Sequence, residues 1–116
     1  MPFQLKRIYD PPAKADGYRV LVDRLWPRGL RKEEVRLDEW NKVLPPSNAL
    51  RTDFHSGRLD FHAFVTRYRA ELLAHTDELE RLRELAQERT VTLLYGAKDP
   101  ERNHARMLME MLVPGS

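Results

Sequence analysis

The chain has 116 residues, of which 41% are hydrophobic and 33% are charged, and it contains no cysteine. This length suits one domain, and the lack of cysteine excludes disulfides, thiolate nucleophiles and cysteine-ligated metal sites. The formal net charge of +2 is a smaller basic excess than nucleic-acid-binding domains usually carry. We therefore expect a single α/β domain over residues 1–116, in the cytoplasm, with no signal sequence and no membrane span.

Two strands are expected in the first quarter of the chain. One lies between Phe3 and Tyr9. The other lies between Tyr18 and Trp26, where three consecutive aliphatic residues are typical of a strand buried on both faces. The loop of about eight residues between them is shorter than a helical crossover. The first strand is therefore either an antiparallel neighbour of the second or a parallel strand joined irregularly.

The middle of the chain is expected to be helical. Residues 31–43 show a weak helical pattern, and Ser47 is a suitable N-cap for a short helix with Leu50 and Phe54 on one face. The clearest helix spans Leu59 to Leu73, because apolar side chains recur there at helical spacing. Thr76 is expected to cap the helix that follows it.

A third strand is expected at Val91 to Tyr95, followed by a turn and a last helix. Asp99 is expected to cap that helix, with Pro100 at its first position. The order of elements predicts an α/β fold: a small, mainly parallel sheet of about three or more strands with helices packed on it as a layered sandwich. The second and third strands are expected to be parallel.

Polar side chains follow the ends of both of these strands. If the strands are parallel, their carboxyl ends meet at one edge of the sheet, where open α/β sheets bind ligands. The free N–H groups at the start of the last helix would favour a negative charge there. The sequence therefore predicts a site formed by Asp23, Arg24, Arg28, Tyr95, Lys98, Asn103 and His104.

Within this site, Arg24, Arg28 and Lys98 are expected to hold a phosphate or carboxylate. Asp23 is the natural general base, and His104 the natural acid or base. Each also has a structural alternative. Asp23 could form an ion pair with either arginine, Lys98 could be a solvated loop residue, and His104 could pack on the inner edge of its helix.

Other motifs are missing. The sequence has no glycine-rich nucleotide loop and no GxSxG or HExxH pattern. His55, His62 and His75 do not have the spacing of metal ligands, so no metal site is expected. No cofactor is identified.

The segment from Gly17 to Gly29, which reads GYRVLVDRLWPRG, resembles the opening signature of the YeaO-like family of small bacterial proteins. The similarity continues in 40–42 and 93–99 and in Asn103-His104-Ala105, and it covers nearly the whole chain. It implies an α/β sandwich-type fold within a larger domain-of-unknown-function group, and it implies no particular reaction.

Wider relatives resemble this strand–turn–helix but carry Cys-His-Arg where this chain has Asn103-His104-Ala105. The resemblance therefore implies that only the histidine is shared and that thiol chemistry is absent here. The chain also departs from its nearer relatives between Asp53 and Asp60, where Phe-His-Ser-Gly-Arg replaces a stretch that usually carries Gly-His-Asp.

Three functional hypotheses follow. The first is binding of a small anion, such as a phosphorylated metabolite or nucleotide, with enzyme activity left open. The second is nucleic-acid binding through the segment from Arg19 to Arg36, which holds six basic and three acidic residues. The third is a protein-interaction module, for example a homodimer that uses Trp26 or Trp40.

Overall fold

A computed structural model of the chain describes residues 3–99 and 102–113. Its strands are β1 (Phe3–Arg7), β2 (Tyr18–Leu21), β3 (Glu39–Trp40) and β4 (Val91–Tyr95). Its helices are α1 (Lys32–Val35), α2 (Asn48–His55), α3 (Phe61–Leu72), α4 (Thr76–Glu88) and α5 (His104–Leu112). No helix among these is long and apolar enough to cross a bilayer.

The four strands form one parallel sheet in the order β1-β4-β2-β3. The predicted α/β class is confirmed, and so is the parallel pairing of the strands at Tyr18 and Val91, which lie side by side in register. The last strand along the chain is therefore inserted between the first two.

The antiparallel alternative for β1 is wrong, because β1 pairs in parallel with β4 and does not contact β2 as its neighbour. The connection 8–17 returns the chain from the carboxyl end of β1 to the amino end of β2, and it contains no α-helix. Its regular element is a 3-10 turn at Lys14–Asp16. The carbonyl oxygen of Asp16 accepts a 2.6 Å hydrogen bond from the Thr92 hydroxyl. The connection therefore lies directly against β4.

The main core lies between one face of the sheet and helices α2 to α5. Alternate residues of β2 and β4 face it, as the pleat of a strand requires, and they are fully buried with side chains from all four helices. The stripe predicted for α3 is confirmed at Phe64, Tyr68 and Leu72. The Tyr68 hydroxyl is buried and donates a 2.6 Å hydrogen bond to the carbonyl of Leu44.

The other face of the sheet carries a smaller cluster made of Ile8, Leu21, Val35 and Leu94. The segment between β2 and β3 covers this cluster, and Trp26 and Trp40 pack against it. The weak helical pattern predicted for 31–43 is correct only over α1. The helix stops at Arg36, whose φ of 47° is left-handed, and Trp40 then pairs with Leu21 as part of β3.

Two predicted caps have different outcomes. Ser47 caps α2 as expected, since its hydroxyl accepts a 3.1 Å hydrogen bond from the N–H of Leu50. The cap at Thr76 is wrong, because Thr76 is already the first residue of α4 and His75 stands at its N-cap without a side-chain hydrogen bond. A 3-10 turn over Leu73–His75 runs straight into α4, which leaves no extended residue to serve as a capping side chain.

A buried ion pair stabilises the second face of the sheet. Asp16 and Arg19 are each 4% exposed and form a hydrogen-bonded salt bridge. Asp16 also accepts bonds from Lys6 Nζ at 3.1 Å and from the N–H of Ala13 at 3.0 Å. Burial alone would raise the pKa of Asp16, but the bonds from Ala13, Lys6 and Arg19 outweigh it and hold the pKa below its usual 3.8. Asp16 is therefore a carboxylate in the folded protein.

We predict that Asp16→Asn lowers the free energy of unfolding by about 3 kcal/mol at pH 7, because it leaves the guanidinium of Arg19 buried without a counter-charge. The folded pKa of Asp16 is lowered, so its stabilisation is present above its usual pKa of 3.8 and is lost as the pH falls through the folded value. Urea denaturation of both proteins at several pH values should show the difference shrinking in acid. The exposed Asp10→Asn is the control, and a difference that does not depend on pH would contradict the prediction.

Candidate functional site

A pocket of about 240 Å³ opens at the carboxyl ends of β2 and β4, between α2, α3 and the start of α5. The pocket is lined by residues that follow β2, by Ala97 after β4 and by Arg102 and Asn103 before α5. The chief lining residues are Asp23, Arg24, Leu25, Arg51, Phe54, Phe61, Phe64, Ala97, Arg102, Asn103 and His104.

Asp23 and His104 meet at the base of this pocket. His104 Nε2 lies 2.8 Å from the carbonyl oxygen of Val22 and 3.1 Å from Oδ1 of Asp23. A carbonyl can only accept, so Nε2 carries a proton. The contact with Oδ1 is close enough for charge attraction but not aligned as a hydrogen bond, and Oδ1 is buried without one. Nδ1 of His104 has no hydrogen-bond partner among the described residues and is the ring atom left for a ligand.

The other oxygen of Asp23 joins the two strand ends. Oδ2 accepts a 2.9 Å hydrogen bond from the N–H of Gly96, the residue directly after β4. A Cβ added to Gly96 would lie 2.8 Å from that oxygen, well inside van der Waals contact. Only glycine lets the backbone come this close to Asp23.

Asn103 sets the start of α5. Its Oδ1 accepts a 2.9 Å hydrogen bond from the N–H of Arg106, and its Nδ2 donates to the carbonyl of Asp99 at 2.8 Å. The predicted cap at Asp99 is therefore wrong for α5, because the helix begins four residues too late for it. The side chain of Asp99 accepts instead from the N–H of Arg102 in the preceding turn. Pro100 lies outside the described residues.

Arg24 borders the pocket but is tied to the backbone. Its Nε donates to the carbonyl of Pro46 at 2.7 Å, and its Nη2 donates to the carbonyl of Pro45 at 3.2 Å. These bonds leave its positive charge without a carboxylate partner among the described residues. Arg24 therefore both holds the 45–46 loop and adds positive potential to the pocket.

Two more arginines line the pocket. Nε of Arg51 is buried and has no hydrogen-bond partner. The guanidinium of Arg102 is exposed and stands 5.8 Å from the ring centre of Phe61. Neither is ion-paired within the described part of the chain, whereas the arginines at 19, 81 and 83 all have carboxylate partners. The pocket thus brings together three arginines that have no carboxylate partner among the described residues.

Aromatic rings form the remaining wall. The ring centres of Phe54, Phe61 and Phe64 lie 4.5 to 6.2 Å apart. Phe64 belongs to the main core, while Phe54 and Phe61 are half-buried and face the pocket. Leu25, which is 58% exposed, stands at the rim. The pocket therefore combines an apolar wall with a cationic one.

The predicted site residues separate into two groups. Asp23, Arg24, Asn103 and His104 line the pocket. Tyr95 is buried in the main core, and Arg28 and Lys98 are exposed and lie outside the lining. Burial and the nearby charges of Arg7 and Asp10 act on Tyr95, with burial dominating, so its pKa is raised. A ligand-binding role for these three residues stays a prediction.

The pocket residues that the sequence prediction missed come from α2, from α3 and from the segment before α5. Arg51 and Phe54 lie three positions apart and so share one helix face, a signal that could have shown Arg51 to point inward. Phe61 fits the apolar stripe of α3 and was assigned to the core for that reason. Arg102 gave no sequence signal, since an exposed arginine in a turn is common.

The structure also shows the surroundings of the residues named in the nucleic-acid and protein-interaction hypotheses. Within the basic segment from Arg19 to Arg36, Arg19 is paired with Asp16 and Arg24 is bound to backbone carbonyls. Of these two, Arg19 is also buried and is not presented at the surface. Trp26 and Trp40 pack edge to face with ring centres 5.3 Å apart, and each indole N–H donates to a backbone carbonyl. The two rings are therefore part of the cover of the second face.

A metal site would need at least three ligands. Over residues 3–99 and 102–113, no three His, Asp or Glu side chains gather closely enough to hold an ion. Asp23 and His104 come together, but each already bonds to backbone groups.

These features define a parallel α/β domain with a ligand-sized pocket at the carboxyl ends of its strands. Residues 2–114 match the family described as "Inactive DUF488-N3 subclade", and the chain belongs to that family. It is 48% identical over 112 residues to "Uncharacterized protein YeaO" of Escherichia coli K12, covering 97% of each chain. It is 37% identical over 109 residues to "Uncharacterized protein Rv3073c" of Mycobacterium tuberculosis, covering 94% of this chain and 92% of that protein. No solved structure matches it.

We predict that Gly96→Ala lowers the free energy of unfolding by about 1–3 kcal/mol, because the new methyl group pushes Asp23 away from the N–H of residue 96. The other neighbours of that methyl would lie 3.9 Å away, at ordinary contact distance. The cost should therefore fall in an Asp23→Ala background. Denaturant unfolding of the two single variants and the double variant measures this coupling, and equal costs in both backgrounds would contradict the prediction.

Proposed function

We propose that this protein binds a small organic anion, bearing a phosphate or carboxylate group, in the pocket between α2, α3 and α5. The observation that carries the proposal is the buried Nε of Arg51, which has no hydrogen-bond partner. A buried N–H without an acceptor costs about 1–3 kcal/mol, and more when the group is charged. An anionic ligand bound by the Arg51 guanidinium, which lines the pocket, would supply the missing counter-charge.

The surroundings of Arg51 favour an anion over a neutral ligand. Arg24 and Arg102 border the same pocket without carboxylate partners among the described residues. The carboxylate of Asp23 is already opposed by the N–H of Gly96 and by His104. An arginine fork matches the geometry of carboxylate and phosphate oxygens, so these groups are the natural ligands.

Asp23 and His104 position the ligand. With Nε2 bonded to Val22, the free Nδ1 of His104 can accept a hydrogen bond from the ligand, or donate one when the ring is charged. Asp23 fixes the ring and ties it to the end of β4. The description of the subclade as inactive supports binding without turnover.

Amide chemical shifts during titration test the proposal. The ¹⁵N-labelled protein is titrated with phenyl phosphate, methyl phosphate, benzoate and acetate. At least one of these anions should shift the amides around Asp23, Arg51 and His104. Arg51→Gln should weaken that binding about tenfold or more, which is the loss expected for one charge-assisted hydrogen bond.

Lys14→Gln and Arg31→Gln are the matched controls, because each removes one positive charge at an exposed position outside the pocket lining and outside the predicted site. They should change affinity by less than about threefold, as expected for screened surface charges. Arg51→Gln should not lower the melting temperature, because it removes an unsatisfied donor. The proposal is wrong if none of the four anions binds, or if the two control variants weaken binding as much as Arg51→Gln does.

A further inference from the structure

We infer that the ligand of this pocket carries one aromatic ring beside its anionic group. This inference rests on the proposed anion site and names the class of molecule that fits it: single-ring aryl carboxylates or aryl phosphates. It is drawn from the aromatic wall, from the position of the arginines relative to that wall, and from the size of the pocket.

The apolar wall is larger than an anion alone would need. Phe54 and Phe61 are half-buried and turn part of their rings to the pocket, although both pack against the core beside Phe64. Rings whose centres lie 4.5 to 6.2 Å apart, in tilted or stacked pairs, have the spacing at which aromatic groups attract. A further ring could join this cluster at the face it leaves open.

The cations stand next to that wall. Arg51 precedes Phe54 by three positions on α2, so the two side chains leave the same face of the helix. The guanidinium of Arg102 stands 5.8 Å from the centre of the Phe61 ring. A ligand whose ring lies against the phenylalanines would place its anionic group at Arg51 and its π-face within reach of Arg102. An aliphatic chain would gain the burial but not this cation–π contact.

The volume limits the enclosed part of the ligand to one ring. An engineered apolar cavity of about 150 Å³ holds benzene, so a pocket of about 240 Å³ holds a six-membered ring and one carboxylate or phosphate. Drug-sized ligands occupy sites of about 300–1,000 Å³. A dinucleotide is therefore too large to be enclosed in this pocket.

Matched anions separate the ring from the head group. Benzoate is compared with acetate, phenyl phosphate with methyl phosphate, and benzoate with cyclohexanecarboxylate, all by the same amide-shift titration. The ring should raise affinity about tenfold or more over the methyl compounds, through burial of apolar surface. Benzoate should bind about threefold or more tighter than cyclohexanecarboxylate, as a cation–π contact predicts.

Variants of Phe61 test the wall. Phe61→Leu keeps an apolar side chain but removes the ring, and it should bring benzoate to within about twofold of cyclohexanecarboxylate. Phe61→Tyr keeps the ring and should retain the preference. Phe54→Leu serves as a second variant if Phe61→Leu does not fold.

The outcomes distinguish this inference from the proposed function. If the methyl and ring compounds bind equally and Arg51→Gln weakens both, the anion site stands and the inference of a ring is wrong. If cyclohexanecarboxylate binds as tightly as benzoate, the ligand is apolar rather than aromatic, and the inference is also wrong. If no anion binds, the proposed function itself fails.

Discussion

The carboxylate of Asp23 joins the ends of two strands to the start of a helix. One oxygen accepts the N–H of Gly96 at the end of β4, and the other lies 3.1 Å from the imidazole of His104 at the start of α5. Asp23 itself follows β2, so a single side chain joins two strand ends and a helix. The pocket exists because these three elements are held together at one edge of the sheet, with its walls on either side of that junction.

The described arginines differ in whether a carboxylate lies against them, and this difference bears on function. Arg19 and Arg81 lie against carboxylates; the hydrogen bond between Arg81 and Glu78 raises the pKa of the guanidinium and lowers the pKa of the carboxyl. Arg24, Arg51 and Arg102 in the pocket have no carboxylate partner among the described residues. The start of α5 is fixed by an uncharged side chain instead, since Asn103 caps the helix through its amide oxygen.

Sequence patterns predicted what depends on local periodicity and strand direction. They placed α3, the buried strands and the meeting of Asp23 with His104, because parallel strands bring their carboxyl ends to one edge. They did not place Arg51, because nothing local says which cation will lack a partner; that depends on which carboxylates fold nearby. The short strand β3 was not predicted for a similar reason. Trp40 becomes a strand residue by pairing with Leu21, and the sequence around it shows no strand pattern. The predicted cap of α2 at Ser47 is correct, whereas the predicted cap of α4 is one residue late and that of α5 is four residues early.

The strand order has a consequence for how the chain folds. β4, at Val91–Tyr95, is central and contributes every hydrogen-bonded contact that β1 makes in the sheet. During synthesis, the four-stranded sheet therefore cannot form until most of the chain has left the ribosome, because β1 and β2 both pair with β4. Contacts of such large sequence separation slow folding, and unpaired strand edges promote association between incomplete chains. The connection 8–17, held to Thr92 by Asp16, can close over the sheet only after β4 has taken its place.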